Sequence, residues 1–380
     1  MKKLIKSASR LMFTACALTL AGWQCNSPAS EQEANPAADT TQSNPNTAGF
    51  AALPPDATGL TDEAFGKIIP LTGKAQPIAP MFRVTESELM ATDSVLLINN
   101  LHDGQFIMWL STNDFSHLAS FARQGRGPNE FISPTFVQGD DPETLCHIFE
   151  RTDNKLYAVY PNFQMKERKD MALRPSVRGM YSDKQLYAMG PDHFVYAESS
   201  DKGKGLFETK REGDSLVTQQ FYDLSFSEDH ANWAAYIGSF GANAQKHRLV
   251  YAYKYFKRAV FIDTQTGQHR VIQFKTDETA SGDVHAMMSP DNVTHYWKLS
   301  AQPDYVYLLY SGRTPYEVGN ANNQGNAHIF VEQFDWNGNP IRKFRLDKWG
   351  YFCADEYKQR LYLLSTTEAE PLYVYNLPEM

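Results

Sequence analysis

Val95-Leu-Leu-Ile98 is the first of six short apolar runs that decide the fold. The other five read Cys146-His-Ile-Phe149, Phe194-Val-Tyr-Ala197, Val250-Tyr-Ala-Tyr253, Tyr305-Val-Tyr-Leu308 and Leu361-Tyr-Leu-Leu364. The first residues of successive runs are 51, 48, 56, 55 and 56 positions apart. A short apolar run between turns is typical of a buried β-strand, and a recurring interval indicates a structural repeat.

Further strand-like segments follow most of these runs. A second strand comes after a polar turn, for example at residues 105–110 and 259–262. A third follows a hairpin turn, most clearly at Asp263-Thr-Gln-Thr-Gly267 and Asp335-Trp-Asn-Gly338, where Gly and Asn supply the positive φ that such turns need. Repeated strand–turn–strand units of about fifty residues are typical of four-stranded propeller blades. We therefore predict an all-β, six-bladed β-propeller of antiparallel blades over residues 63–380.

The two ends of the repeat region predict how the ring closes. The last unit, residues 350–378, offers only three strands, whereas Lys67-Ile-Ile-Pro-Leu-Thr72 is a spare strand ahead of the first unit. Adding this N-terminal strand to the last blade would remove an open sheet edge. Seven blades would need one more repeat, and two packed sandwiches would not require six similar units.

The N-terminus has the pattern of an export signal. Residues 1–10 are basic, and residues 11–23 form an apolar run that is too short to span a bilayer. Cys25 stands where this run ends, a placement that resembles a bacterial lipoprotein signal, in which the cysteine is lipidated and becomes the first mature residue. We predict a signal peptide at residues 1–24 and lipidation of Cys25. Lipidation of Cys16 and an ordinary cleaved signal are the alternatives.

Residues 25–62 are predicted to form a disordered tether. They are rich in Asn, Ser, Thr, Pro, Ala and Gln and contain almost no large apolar side chain. Such a segment cannot bury enough surface to offset the entropy lost on ordering. The tether would hold the propeller clear of the outer membrane, facing either the periplasm or the outside.

Composition narrows the class of partner. The 23 Phe, 20 Tyr and 6 Trp favour a β-sheet protein, and the formal net charge is −8. Without residues 1–24, which contain four basic and no acidic side chains, the charge is −12. A negatively charged propeller argues against nucleic acid as a partner and against direct docking on anionic lipid.

Cys146 and Cys353 lie in separate strand-like runs, and we interpret them as small apolar strand residues.

The linker between the first two units carries a family resemblance. It reads Phe121-Ala-Arg-Gln-Gly-Arg-Gly-Pro-Asn-Glu-Phe-Ile-Ser-Pro134 and resembles the inter-blade signature of NHL-type propellers. Its Gly-x-Gly-Pro and Glu-Phe elements resemble the TolB-like six-bladed propeller lipoproteins of Bacteroides-type bacteria. The resemblance covers roughly residues 65–380 and implies fold and envelope location. Asn129 stands where the family often has glycine, and asparagine tolerates the left-handed backbone that such a turn requires.

Two places are candidate binding sites. Arg126 and Glu130 flank Pro128 in the glycine-rich linker, where they either contact a polar ligand at a channel mouth or stabilise the turn. Residues 312–326 are an insertion in the fifth unit, and its Arg313, Tyr316 and Glu317 form either a recognition tip or a disordered hairpin tip.

No catalytic motif is present in the sequence. There is no HExxH, P-loop or GxSxG pattern, so we assign no catalytic residue, cofactor or metal ligand. We predict a monomeric envelope module that binds a protein, peptide or glycan through its loops or channel mouth. A purely structural envelope component would have the same sequence features.

The alternative is a metal-dependent propeller hydrolase of the lactonase type. In such an enzyme, carboxylates from several blades converge on a divalent cation such as calcium. Asp93, Asp192, Asp304 and Glu356 border strands in different units and are the residues that could do so.

Overall fold

The computed structural model describes residues 52–78, 82, 86–92, 94–139, 141–162, 164–177, 182–200, 203–228, 233–275, 289, 292–365 and 367–379. The predicted signal peptide, Cys16, Cys25 and the predicted tether up to residue 51 lie outside these described residues. Within the described ranges, no helix is long and apolar enough to cross a membrane.

Six four-stranded antiparallel units, which we number as blades 1 to 6, follow one another along the described chain. Blades 1 to 3 consist, from the inside outwards, of Glu88–Ala91, Val95–His102, Gln105–Ser111 and His117–Arg123; Pro134–Gly139, Cys146–Glu150, Lys155–Val159 and Met165–Glu167; and Gln185–Gly190, His193–Ser200, Gly203–Glu212 and Ser215–Asp223. Blades 4 to 6 consist of Gly238–Asn243, Arg248–Tyr253, Arg258–Asp263 and His269–Phe274; Thr294–Ala301, Tyr305–Arg313, Ile329–Asp335 and Pro340–Leu346; and Gly350–Asp355, Arg360–Ser365, Leu372–Asn376 and Lys74–Gln76. The predicted six-bladed architecture is confirmed.

The first strand of each blade lies innermost and contacts the first strands of both neighbouring blades. The first strands of blades 2 and 3 even pair in parallel, with Tyr187 opposite Gln138. The series of contacts passes through all six blades, and the first strand of blade 6 contacts that of blade 1. The ring is therefore closed around a central channel.

An N-terminal strand closes the ring, but it is not the segment predicted from the sequence. Lys74–Gln76 pairs with the third strand of blade 6, with Gln76 opposite Leu372. Ile69–Leu71, the centre of the predicted closing strand, runs parallel to the outer strand of blade 5. Pro70 lacks an N–H and is tolerated at such a sheet edge. Lys74–Gln76 carries no large apolar side chain, so a search for apolar runs does not find it.

The propeller begins before residue 63. Ala57–Leu60, which the sequence assigns to the tether, is a strand that pairs in parallel with the outer strand of blade 4. The Asp56 carboxylate accepts a hydrogen bond from the Val271 backbone nitrogen at 2.8 Å. A 3-10 helix, Asp62–Phe65, then leads the chain from blade 4 to blade 5.

Charged and aromatic contacts hold this 3-10 helix between blades 4 and 5. Asp62 forms ion pairs with Lys257 and with Lys343, the latter at 2.8 Å. Both lysines are buried and also face the buried carboxylate of Glu332. Phe65 stacks on Phe274 with ring centres 5.5 Å apart and meets Phe334 edge-on at 5.2 Å. The N-terminal segment is thus part of the core between two blades.

The apolar runs that reveal the repeat are the second strands of the blades. Every residue of Cys146–Glu150 and of Arg248–Tyr253 is buried. A second strand has a neighbour on each edge and other blades against its faces, so it requires apolar side chains. Tyr251 and Tyr253 pack in one cluster with Val195 and Leu206 of blade 3.

The two cysteines of the propeller are buried strand residues, as expected. Cys146 lies in blade 2 and Cys353 in blade 6, and neither is in a disulfide. Burial raises the pKa of the Cys146 thiol to about 12, so it stays protonated and unreactive at neutral pH.

The insertion in the fifth unit is helical. Pro315–Asn323 forms an α-helix between the second and third strands of blade 5, where the sequence suggested a hairpin tip. Thr314 caps it: its side chain accepts from the Glu317 backbone nitrogen, and the Glu317 side chain accepts from that of Thr314. Pro315 at the first helical position favours the helical backbone.

Replacing Phe65 with alanine should lower the free energy of unfolding by about 3–5 kcal/mol, because it empties a buried ring site between blades 4 and 5. Ile68→Ala is the control, because the Ile68 side chain is 39% exposed on the same segment and should change stability by less than about 0.5 kcal/mol. Urea denaturation measures both. Equal effects would show that the Phe65 contacts do not hold the segment.

Acid should destabilise the protein through His147. Its side chain is 1% exposed and lies edge-on to Phe194. Burial lowers the pKa of His147 to about 4, although Asp141 at 3.7 Å acts in the opposite direction. An unfolded histidine titrates near pH 6.5, so between about pH 6.5 and 4 the unfolded state binds a proton that the folded state does not. The contribution of His147 to the free energy of unfolding is therefore complete above about pH 6.5 and is lost as the pH falls towards about 4.

We expect His147→Gln to remove about 1.4 kcal/mol per pH unit from the slope of unfolding free energy between pH 6 and 4.5. Above pH 7 the two proteins should have parallel profiles, which serves as the internal control. Parallel profiles across the acidic window as well would contradict the prediction.

Candidate functional site

The channel has two ends that differ in what lines them. We call the end at which the first strands begin the front mouth, and the opposite end the back mouth. A cavity of about 370 Å³ opens at the front mouth. Residues from all six blades form its wall, including Glu88, Thr135, Gln185, Gly238, Leu299 and Phe352.

The cavity is more positive than the protein around it. Its wall contains the carboxylates of Glu86, Glu88 and Asp183, and the cationic side chains of Arg151, Lys184, Lys204, Lys254 and Lys298. Of the residues that the structure describes, five cations and three anions therefore meet in this wall, in a chain whose formal net charge is −8.

Several of these charges are compensated inside the wall. Asp183 pairs with Lys204 at 2.9 Å and accepts a 2.6 Å hydrogen bond from the Ser199 hydroxyl. Burial by itself would raise the pKa of Asp183, but Lys204 and Ser199 lower it to about 2. Lys184 is fully buried against Glu198 at 2.8 Å. These residues stabilise the wall.

Glu88 is also committed to structure. Its carboxylate accepts from the Asn99 side-chain amide at 3.0 Å, from the Thr135 hydroxyl at 2.7 Å and from the Phe136 backbone nitrogen at 3.2 Å. Asn99 in turn donates to the Pro134 carbonyl at 2.8 Å. Glu88 therefore joins blade 1 to blade 2 at the ring's inner edge.

Glu86 and Lys298 form a pair that water can reach. Their charged atoms are 2.9 Å apart, and the Glu86 side chain is 63% exposed. The charge of Lys298 lowers the pKa of Glu86 against the effect of burial, and Lys254 and Arg151 lower it further. Three cations thus act on one accessible carboxylate.

Lys254 has no carboxylate of its own among the described residues. Its ammonium lies 4.7 Å from the ring centre of Trp297 and 5.7 Å from that of Tyr255. Burial lowers the pKa of Lys254, Glu86 raises it, and repulsion from Lys298 lowers it again. The side chain is held by cation–π contacts rather than by an ion pair.

Arg151 is anchored through its Nε atom. Its Nε donates to the Ser182 carbonyl at 2.8 Å, which fixes the side chain between blades 2 and 3. In the described part of the chain no carboxylate pairs with its guanidinium, although its charge acts on both Glu86 and Lys298. The remaining N–H groups suit a planar, bidentate acceptor.

Arg126 and Glu130 lie outside the cavity wall. Glu130 folds back into the glycine-rich turn, where it accepts from the Gly127 backbone nitrogen at 2.8 Å and lies 3.7 Å from Arg123. A Cβ at Gly125 would lie 1.9 Å from the Glu130 carboxylate, so a larger residue there would require the Glu130 side chain to move. Arg126 is exposed. A binding role for Arg126 and Glu130 stays a prediction.

The three predicted residues of the insertion lie together at the start of its helix, also away from the cavity. Arg313 donates to the His328 carbonyl, and Glu317 completes the helix cap. Tyr316 is 69% exposed. Arg313 and Glu317 thus have structural contacts, whereas the Tyr316 side chain is the most exposed of the three. A binding role for these residues stays a prediction.

The carboxylates considered for a hydrolase are dispersed. Asp93 lies outside the described residues, and Asp192 pairs with Arg168 at 3.2 Å and Arg211 at 3.4 Å. Glu356 accepts from the Asp304 backbone nitrogen at 2.8 Å, at the back mouth, where burial raises the pKa of Glu356 to about 7. In the described ranges no three acidic, histidine or cysteine side chains are placed to hold a metal ion.

The sequence did not single out the charged residues of the front mouth. They lie on first strands or just before them, on the third strand of blade 3, and in the turns after the second strands of blades 2 and 4, and these segments lack a continuous apolar run. A signal was nevertheless present, because Arg151 and Lys254 come directly after the second strands of blades 2 and 4. In these two blades, a cation directly after a fully buried strand lies at the front mouth.

Comparison with known proteins supports the fold. No curated protein is significantly similar in sequence. A solved member of the DUF4221 family from Bacteroides vulgatus is 12% identical, with 80% of this chain and 97% of that chain covered and a TM-score of 0.53. A Bacteroides fragilis protein inferred to be exported is 8% identical, with 85% and 98% covered and a TM-score of 0.45. At such identities only the fold of the first is informative.

A family model identifies the chain more directly. The model for TolB-like 6-blade propellers matches residues 65–356, which is more than half of the chain. The six blades of the structure agree with that match, as does the glycine-rich linker of residues 121–134. The chain therefore belongs to the TolB-like six-bladed propeller family.

Proposed function

We propose that this protein is a binding module of the cell envelope that takes its ligand into the front-mouth cavity. The observation that carries the proposal is the cavity itself, about 370 Å³ in volume and walled by all six blades. Because strands and tight turns of a closed ring hold its wall, the site is preformed and loses little entropy on binding.

The chemistry of the wall suits a small polar ligand or the end of a chain. Aromatic side chains, among them Phe136, Phe240 and Trp297, offer apolar contact surface next to the charged groups. Such a mixture orients a peptide terminus or a saccharide better than it would a purely apolar molecule. No observation on the described residues favours the hydrolase alternative over binding.

The envelope location rests on the leader of residues 1–24 and on Cys25. A lipid on Cys25 would anchor the chain in the outer membrane, and the segment before residue 52 would separate anchor and propeller. Cys25→Ser should move the protein from the membrane fraction to the soluble fraction, and Cys16→Ser should not. Retention of Cys25→Ser in membranes would contradict lipidation at that residue.

Blocking the cavity tests the binding site. Gln138 lines the cavity from the first strand of blade 2, and Gln138→Trp should fill part of it while keeping the backbone pairing with Tyr187. Thermal unfolding of the purified protein is measured with saccharides, peptides, calcium and EDTA. A ligand bound only by the folded state raises the midpoint, and we expect Gln138→Trp to remove that rise.

Two substitutions distinguish the competing surfaces. Tyr316→Ala tests the helix of the insertion, and Tyr357→Ala is a matched control, because Tyr357 is 71% exposed beside the back mouth. We expect both variants to keep the ligand-induced rise. If only Tyr316→Ala removes the ligand-induced rise, the insertion is the binding site. A midpoint of thermal unfolding that depends on calcium would favour the hydrolase.

A further inference from the structure

Three cationic side chains from different blades face the front-mouth cavity without full compensation. They are Arg151 after the second strand of blade 2, Lys254 after that of blade 4, and Lys298 on the first strand of blade 5. Residues so far apart in sequence meet only because the ring closes. Their convergence places positive charge in this cavity, although the net charge of the protein is negative.

The carboxylates nearest to this cluster do not balance it. Glu86 is the accessible partner of Lys298, and Glu88 has its oxygens occupied by Asn99, Thr135 and Phe136. Among the described residues, two carboxylates therefore face three cations, and the oxygens of Glu88 already accept hydrogen bonds within the wall. Counted over these five side chains, the cluster carries an excess of positive charge.

The cations of the cluster differ in how they are compensated. Glu86 and Glu88 raise the pKa of Lys298 in spite of its burial, so Lys298 is well compensated. Burial lowers the pKa of Lys254, and repulsion from Lys298 lowers it further against the effect of Glu86. A bound anion beside Lys254 would stabilise its charged form.

The shape and polarity of the remaining wall narrow the class of anion. In the part of the chain that the structure describes, the terminal N–H groups of Arg151 have no carboxylate partner, and their planar arrangement matches the two oxygens of a ligand carboxylate. Phe240 and Trp297 border the same cavity and offer apolar surface to the C–H face of a sugar ring. The cavity volume of about 370 Å³ suits one or two sugar units rather than a large polymer segment.

We propose that the front-mouth cavity binds the carboxylate of an acidic saccharide, with Arg151, Lys254 and Lys298 as the anion contacts. This inference rests on the proposed function and names the ligand class of the same site. Glu86 occupies the position of a competing anion, because it is paired with Lys298 when no ligand is bound.

The experiment compares digalacturonate with neutral digalactose by isothermal titration on the full protein. We expect digalacturonate to bind and the neutral disaccharide to bind at least about tenfold more weakly, because it lacks the charge-assisted hydrogen bonds. Inorganic phosphate tests whether any anion suffices, and we expect it to bind more weakly than digalacturonate.

Substitutions that remove either a cation or an anion test the roles of the residues within the cluster. Lys254→Met should weaken digalacturonate binding about tenfold or more without lowering the thermal midpoint of the free protein, since no ion pair in the described structure is lost. Lys254→Arg should restore binding. Glu86→Gln should strengthen binding, because it removes the competing carboxylate. Lys246→Met is the matched control, since Lys246 pairs with Asp304 at the back mouth.

The outcomes separate this inference from the proposed function. Equal binding of neutral and acidic disaccharides, abolished by Gln138→Trp, would overturn the anion inference and keep the cavity as a binding site. Unchanged digalacturonate binding by Lys254→Met, or no digalacturonate binding at all, would also overturn the inference. Binding that Gln138→Trp leaves intact would instead contradict the proposed function itself.

Discussion

The six blades pack only when the ring is closed. Each first strand packs between two others, so an incomplete blade would leave an open sheet edge and uncovered apolar faces. Lys74–Gln76 completes blade 6 and thereby ties the N-terminal side of the propeller to its C-terminal strands. On its way there the chain follows the outer strands of blades 4 and 5, and Asp62 and Phe65 enter the boundary between those blades. Closure and packing are therefore achieved by the same short segment.

The ring also divides the strands by task. Second strands carry the packing and are fully buried in blades 2 and 4, while first strands and the turns after these two second strands face the channel. Some of the polar channel residues join blades, as Glu88 does between blades 1 and 2, and Gln185 does by hydrogen bonds to Gly238 and Phe240 of blade 4. The charged side chains that do not join blades are the ones that we propose contact a ligand. A cationic cavity in an acidic protein focuses the field at the front mouth and draws anions there.

An element could be predicted from the sequence to the extent that its own residues determine its structure. The second strands were found because burial on both faces demands a continuous apolar run, as in residues 250–253. Asn129 adopts a φ of 60°, which the turn chemistry implied. The closing strand was misplaced because pairing with Leu372–Asn376 depends on the other end of the chain. The helix Pro315–Asn323 was missed because its capping box lies within a segment rich in Asn and Gly.

The number of blades and the all-β class follow from local patterns repeated along the chain, and the inter-blade turn and the family follow from the linker of residues 121–134. The choice of the N-terminal strand that closes the ring, and the set of side chains that share the front-mouth cavity, depend on the tertiary structure. Arg151, Lys254 and Lys298 are far apart in sequence, and no local pattern requires them to meet. Ring closure brings the starts of six first strands to one end of the channel, and that geometry alone turns separate charges into a site.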